Sequence, residues 1–261
     1  PMSTERGALP PVAPPPSHLA TLLAFELATE ACSVALLRQG ALIARHEVAP
    51  RRHVELALPW ADALLAEAGI ARSQIDALAV GVGPGAFTGV RLAISLVQGI
   101  ALGLDRPVLP VSTLAALAAS SVDDGRVLAA IDARMGELYL AEFHRDADGL
   151  PQASGGEVLR SLAGAASALD ALDALDAARP WVGVGTGFAA GGGAWFAPIA
   201  HRFTRIDAAA LPTAAAVARI AARDLARGRA VPAERLEPTY LRDKVALTSV
   251  EQAAARAAKA R

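Results

Sequence analysis

Apolar residues first cluster along this chain in three short runs, 22–27, 32–38 and 41–48, separated by only four and then two residues. Runs of strand length this close together predict an antiparallel meander, with Gln39-Gly40 as the two-residue turn of a hairpin. Residues 54–68 then carry apolar side chains at helical spacing. Residues 75–82 return to a strand-like run, and 88–103 to a helix. A second unit starts at Pro107: a strand over 108–111, a helix N-capped by Ser112, and strands over 127–132 and 137–144 joined in a hairpin around Arg134-Met135-Gly136. Further on the pattern predicts a helix over 161–178, a strand over 181–184, a loop over 185–193 holding five glycines, and a helix N-capped by Thr213 that Gly228 closes. Strands and helices interleaved in this way define a mixed α/β chain.

The two helices of the first unit have faces that need explaining. In 54–68 the apolar side chains fall nearly all round, with Val54, Leu58, Ala61 and Leu65 on one side and Leu56, Trp60 and Leu64 on another. Such a helix has two surfaces to bury, one against its own sheet and one against something else. In 88–103, Ser95, Gly99 and Gly103 recur every four residues as a shallow ridge, with Arg91 at one end and Gln98 and Leu102 beside it. A row of small residues lets another helix come close. Two readings stand: both surfaces are covered within the chain, or Leu56, Trp60, Leu64, Arg91, Ser95, Gln98, Gly99 and Leu102 meet a partner.

Between the fourth strand and the second helix lies Gly83-Pro84-Gly85-Ala86-Phe87-Thr88-Gly89-Val90-Arg91. Three glycines and a proline at a strand-to-helix junction shape a loop that places backbone N–H groups against a phosphate or a protein, or that simply lets helix and sheet pack closely. It is not a P-loop, which needs Lys and Ser or Thr after its last glycine, where Val90 and Arg91 stand here. The looser dinucleotide spacing at Gly81, Gly83 and Ala86, and again at Gly185, Gly187 and Ala190, carries little weight in a chain with 22 glycines.

Composition narrows the classes. With 53% hydrophobic and 20% charged residues the 261-residue chain can bury a core, and a net charge of −1 lacks the basic excess of a protein that grips nucleic acid by itself. Any RNA contact would be made mainly through another chain. No uninterrupted apolar run reaches the ~20 residues of a membrane span and no secretory signal pattern is visible, so the cytoplasm is the expected compartment. Residues 1–20, with Pro10, Pro11 and Pro14-Pro15-Pro16, read as a flexible leader, and 246–261 as a flexible alanine-rich tail. The single Cys32 reads as a buried small side chain. No two of His18, His46, His53, His144 and His201 stand four apart on a helix, so no metal site is expected.

Several phrases in order resemble the TsaB (YeaZ) family: Ala28-Thr29-Glu30-Ala31-Cys32-Ser33-Val34-Ala35-Leu36, residues 83–91, Val111-Ser112-Thr113-Leu114, Ala130-Ile131-Asp132-Ala133-Arg134-Met135-Gly136-Glu137, Val184-Gly185-Thr186-Gly187 and Glu237-Pro238-Thr239-Tyr240-Leu241-Arg242. The resemblance spans about residues 21–245. It implies the α/β fold of the actin, sugar-kinase and heat-shock-chaperone ATPase superfamily, in two half-domains, 21–106 and 107–245, the last helix packing back on the first. It also implies a non-catalytic scaffold that binds and activates TsaD, which transfers a threonylcarbamoyl group to the adenosine beside the anticodon of tRNAs reading ANN codons. TsaE, tRNA held through the complex, a homodimer of the free chain, and a nucleotide at the TsaB–TsaD interface complete the expected partners.

In catalytic members of the superfamily an acid at the end of the first strand approaches magnesium. Here Phe25-Glu26-Leu27-Ala28-Thr29 stands where the family usually has Asp-Thr-Ala-Thr, so Glu26, Thr29, Gly185 and Gly187 are expected to mark a vestigial nucleotide cleft. Gly83, Gly85, Thr88 and Gly89 would shape either the interface or an old phosphate loop. Asp132, Arg134 and Glu137 read as a salt-bridged turn or a contact with TsaD, and Arg51-Arg52-His53 as a basic entry at the interface edge. An active small-molecule kinase or ATPase, and a peptidase, are the rival readings. The first needs Glu26 to serve as the magnesium acid, the second a nucleophile or a metal.

Overall fold

The computed structural model describes residues 20–121, 125–173 and 180–242, so the proline-rich leader and the tail over 246–261 lie outside the described residues. Strands β1 (Thr21–Glu26), β2 (Ala31–Arg38) and β3 (Ala41–Val48) form the expected meander. Gln39 and Gly40 both take positive φ, as the hairpin turn demands. Helix α1 (His53–Glu67), β4 (Ala77–Gly81), α2 (Phe87–Leu104) and β5 (Val108–Val111) complete a five-stranded sheet of order β3-β2-β1-β4-β5, with β1, β4 and β5 parallel.

After α3 (Thr113–Ala118), capped as expected by the Ser112 hydroxyl, come β6 (Arg126–Arg134), β7 (Glu137–Arg145), β8 (Pro151–Ala153), β9 (Val158–Ser161), α4 (Leu162–Asp173), β10 (Trp181–Val184), β11 (Phe203–Asp207) and α5 (Ala214–Ala226). The second sheet runs β11-β10-β6-β7-β8, with β9 also on β7. The helix expected over 161–178 begins one residue later, because Ser161 pairs with Glu137, and is described to Asp173; the last residues of that expectation, 174–178, lie outside the described residues. The glycine-rich stretch after β10 is not an open loop. It winds as 3₁₀ turns through Thr186–Arg202, broken at residues 190–193.

Alternation along the strands sorts the core into layers. In the first sheet Leu23, Phe25, Val34, Leu36, Leu78 and Val80 point toward α1 and α2, while Leu22, Ala24, Ala35, Ala77 and Ala79 point toward α3 and α5. Val127, Ala129, Ile131, Val182 and Val184 of the second sheet join that same inner layer from the other side. Helix α5 is buried nearly all round, with Ala214, Ala216, Val217, Ala218, Ile220, Ala221 and Leu225 inside. It comes late in the chain yet lies across β1 and β2 of the first sheet, with Ala214 N–H donating to the Ser33 hydroxyl at 3.0 Å. Alanines facing alanines let this helix sit close to the sheet. By length and apolarity α2 is the one described helix that could pass for a membrane span; Arg91 and Gln98 interrupt it, and Val90, Ala93, Ile94, Val97 and Ala101 are buried in the layer between helix and sheet. Cys32 is fully buried, and burial pushes its thiol up to about 11.

Candidate functional site

The glycine loop sits at the end of β4, and its glycines are set by what lies beneath them. A Cβ on Gly85 would stand 2.4 Å from the carbonyl oxygen of Ala28, and one on Gly89 2.2 Å from that of Leu27. Ala86 N–H donates to the same Ala28 oxygen at 2.7 Å. The loop is thus pressed onto the turn that follows β1, and only Gly83 needs its positive φ.

Glu26 does not reach a cleft. Its side chain folds back under the loop, where Oε1 accepts from Ala28 N–H at 2.8 Å and Oε2 from the Thr113 hydroxyl at 3.3 Å. Thr113 in turn accepts from Gly83 N–H and donates its own N–H to the Gly83 oxygen. A Cβ on Gly81 would lie 1.9 Å from Oε2, so the missing side chain there is what houses the carboxyl. Burial pushes Glu26 up to about 7, against the opposing pull of the Ala28 N–H and the Thr113 hydroxyl. The expectation that it marks a nucleotide cleft is corrected: an acid enclosed on every side cannot reach a metal in the open.

A cleft of about 910 Å³ does open between the two halves. Thr29, Arg51, His53, Phe87 and Thr88 line it from the first half, and Asp132, Arg134, Met135, Tyr139 and Thr186 from the second, with Thr239, Tyr240 and Arg242 across its edge. Thr29, one of the residues expected at a nucleotide cleft, is among those that line it. Gly185 and Gly187 do not line the cleft; a Cβ on either would strike Ala130 of β6, at 2.3 Å from its oxygen and 2.7 Å from its Cβ respectively, so they serve close packing on the strand. The residue between them, Thr186, faces the cleft and accepts from Asp132 N–H at 3.3 Å. His53 Nε2 lies 3.0 Å from the Thr29 oxygen and 3.2 Å from that of Ala31; both are acceptors, so this nitrogen carries the proton and pins the β1–β2 turn to the start of α1. Arg52 is held by Glu47 and Glu55, while Arg51, at positive φ, lines the cleft. The expected salt-bridged turn is split: Asp132 pairs with Arg134 at 3.0 Å, but Glu137 pairs with Arg242 at 2.5 Å. Among the described residues no group of three His, Cys, Asp or Glu side chains is placed to hold a metal.

On the outer side of α1 and α2 the expected contact residues divide. Leu64 is 1% exposed and packs inward with Ala57, Ala61 and Leu65, so it belongs to the core, where its burial stabilises by about 1.5–3 kcal/mol. Leu56 and Trp60 are half-buried. The outward apolar side chains of α1 are Val54, 68% exposed, and Leu58, 49%. On α2, Arg91, Ser95, Gly99 and Leu102 face solvent, whereas Gln98 spends its amide on the carbonyls of Ala233 and Leu236. Among the described residues, and apart from the helix's own backbone, nothing lies within 4 Å of where a Cβ on Gly99 or Gly103 would stand. At the start of the helix the Arg91 guanidinium lies 3.3 Å over the Phe87 ring and 5.2 Å from that of Tyr240. Tyr240, Thr113 and Met135 are parts of the site that residue-by-residue reading passed over, although Thr113, Met135 and Tyr240 all fall in the phrases that carry the family resemblance.

Two mixed sheets enclosing shared helices, a cleft between the halves and a glycine loop at the first crossing define an actin-like α/β protein of two half-domains. A family model described as "TsaD: tRNA N6-adenosine threonylcarbamoyltransferase" matches residues 45–250. The chain is 40% identical over 230 residues to the tRNA threonylcarbamoyladenosine biosynthesis protein TsaB of Escherichia coli (strain K12), spanning 86% of this chain and 96% of that one. It is 47% identical over 129 residues to the TsaB of Haemophilus influenzae, spanning 48% and 55%. The solved structure of YeaZ from Pseudomonas aeruginosa superposes with a TM-score of 0.73 at 42% identity, covering 85% of this chain and all of that one. The chain belongs to the TsaB (YeaZ) family.

Proposed function

We propose that this chain serves the formation of threonylcarbamoyladenosine in tRNA as a non-catalytic subunit, docking and activating the threonylcarbamoyltransferase TsaD through the outer face of α1 and α2. The observation that carries the reading is the open ridge of α2. A glycine inside a helix costs about 0.5–1 kcal/mol relative to alanine, and among the described residues no neighbour needs Gly99 or Gly103 to be small. A second helix laid into that ridge would need it. Val54, Leu58, Phe87 and Leu102 add exposed apolar surface of the kind an interface buries. The match to a TsaD family model supports a pairing between two chains of related fold, and a second copy of this chain would use the same face when TsaD is absent. TsaE and tRNA would join through TsaD, with a nucleotide at the shared interface and no membrane contact. The withdrawal of Glu26 from the cleft supports the non-catalytic reading over a kinase or ATPase.

The test is reconstitution. This chain, TsaD, TsaE, the threonylcarbamoyl-adenylate synthase, ATP, threonine, bicarbonate and tRNA are combined, and modified nucleoside is assayed with the wild-type chain, with Ser95→Trp and with no chain. Modification that depends on the chain and collapses when the ridge is filled is the expected result. Equal modification without the chain defeats the proposal.

A further inference from the structure

After α5 the chain does not simply end at the second half. It crosses back. Val231 exchanges both backbone hydrogen bonds with Val108 at the edge of the first sheet, and Ala233 and Leu236 bury themselves beside α2, where the Gln98 amide donates to both of their carbonyls. Thr239 N–H then donates to the Val82 oxygen at 2.9 Å, just past the end of β4. Three residues on, Arg242 is fixed to the other half: its guanidinium donates to the Ala133 oxygen at 3.0 Å and pairs with Glu137 at 2.5 Å, both in the β6–β7 hairpin. Between these anchors Tyr240 projects with its ring 6.4 Å from that of Phe87. Among the described residues it is also the one that lines both the interlobe cleft and a smaller groove along α2 made by Arg91, Ile94, Ser95, Gln98 and Leu236–Pro238.

We infer that Arg242 is a positioning residue for docking: through the strap of residues 231–242 it holds Tyr240 against Phe87 and Arg91, and so ties the docking face of α2 to the geometry of the cleft. The inference rests on the proposed docking of TsaD at that face. The physical argument is one of reach. Three residues span at most about 10–11 Å, so a movement of the hairpin relative to β4 that exceeds this reach must drag Tyr240 or break an anchor. Arg242 stands in the hairpin's hydrogen bonds, away from the exposed ridge of Ser95, Gly99 and Gly103. Its effect on a partner would therefore pass through Tyr240. Two groups that act in series show non-additive effects when both are removed.

The experiment is a double-mutant cycle on TsaD affinity, using the full chain in wild-type form, Arg242→Met, Tyr240→Ala and the double variant, with hydrogen exchange read on each free chain. Arg242→Met should weaken TsaD binding about fivefold or more, but less than about twofold when Tyr240 is already alanine. Exchange should rise at Thr239 and at the first turn of α2, a readout that simple loss of a hairpin contact would not move. Glu137→Gln removes the carboxylate partner of Arg242 without touching the strap; it should shift affinity in the same direction, and it carries the test should Arg242→Met not fold. Unchanged affinity in both variants overturns the coupling, and multiplicative effects of Arg242 and Tyr240 overturn its passage through Tyr240. Absence of any binding by the wild-type chain instead defeats the docking reading itself.

Discussion

Burial takes Glu26 far from the ordinary range of a carboxyl. A carboxyl raised from about 4.5 to about 7 binds its proton more tightly in the folded chain than in the unfolded one. The stabilising contribution of that proton is fully present below the unfolded value and is lost as pH rises toward 7, after which the chain carries the whole cost of a buried charge. A shift of this size corresponds to something on the order of 3 kcal/mol. Replacing Glu26 by Gln removes the titration while keeping an acceptor for the Ala28 N–H. Urea midpoints of wild type and Glu26→Gln measured at pH 5 and pH 8 should therefore diverge, with the wild type falling relative to the variant as pH rises. Parallel pH dependence of the two would show that Glu26 is not the group buried under the loop. Nothing in the sequence around Phe25-Glu26-Leu27 could reveal this, because the direction in which a strand-end side chain turns is decided by Gly81 and Thr113, which are distant in the chain.

Among the elements, those with a strong period were legible and those without were not. The meander, α1, β4, α2 and the capped α3 and α5 follow from alternation, helical spacing and Ser or Thr at the cap. The short strands β8, β9 and β11 were missed, since three to five residues of mixed exposure offer too little alternation to separate from a loop. The faces of α1 were half legible: an all-round apolar helix announces two buried surfaces, but which of them meets the sheet depends on its rotation, and that put Leu64 inside and Val54 and Leu58 outside. The α2 ridge was legible as spacing, and its openness was not. It yields a prediction at this scale. Gly99→Ala relieves a helix-interior glycine and Gly103→Ala one in the last turn, and neither meets a neighbour among the described residues, so Gly99→Ala should stabilise the isolated chain by about 0.5–1 kcal/mol and Gly103→Ala by less. In pull-down against TsaD the same variants should bind more weakly. Stabilisation with unaltered binding would mean that no helix approaches the ridge closely.

At the scale of the molecule, the two halves are less separable than their order in the chain suggests. The inner face of the first sheet, from Leu22, Ala24, Ala35, Ala77 and Ala79, is covered by α5, some hundred residues further along the chain than the sheet's last strand. Arg223 near the end of that helix is paired with Asp146 in the β7–β8 turn at 3.1 Å, with both side chains nearly buried, so α5 is fastened to the second half as well. A layer shared by both sheets makes folding of one half depend on the other, and the full chain should unfold in a single transition with coincident near- and far-ultraviolet circular dichroism. A fragment of residues 20–112 would leave that alanine-lined face bare. It should show no cooperative thermal transition and should bind a hydrophobic dye such as ANS, because a contiguous apolar face buried in the full chain would be exposed. Cooperative unfolding of the fragment by itself would show instead that α5 is an accessory to the first half rather than part of its core.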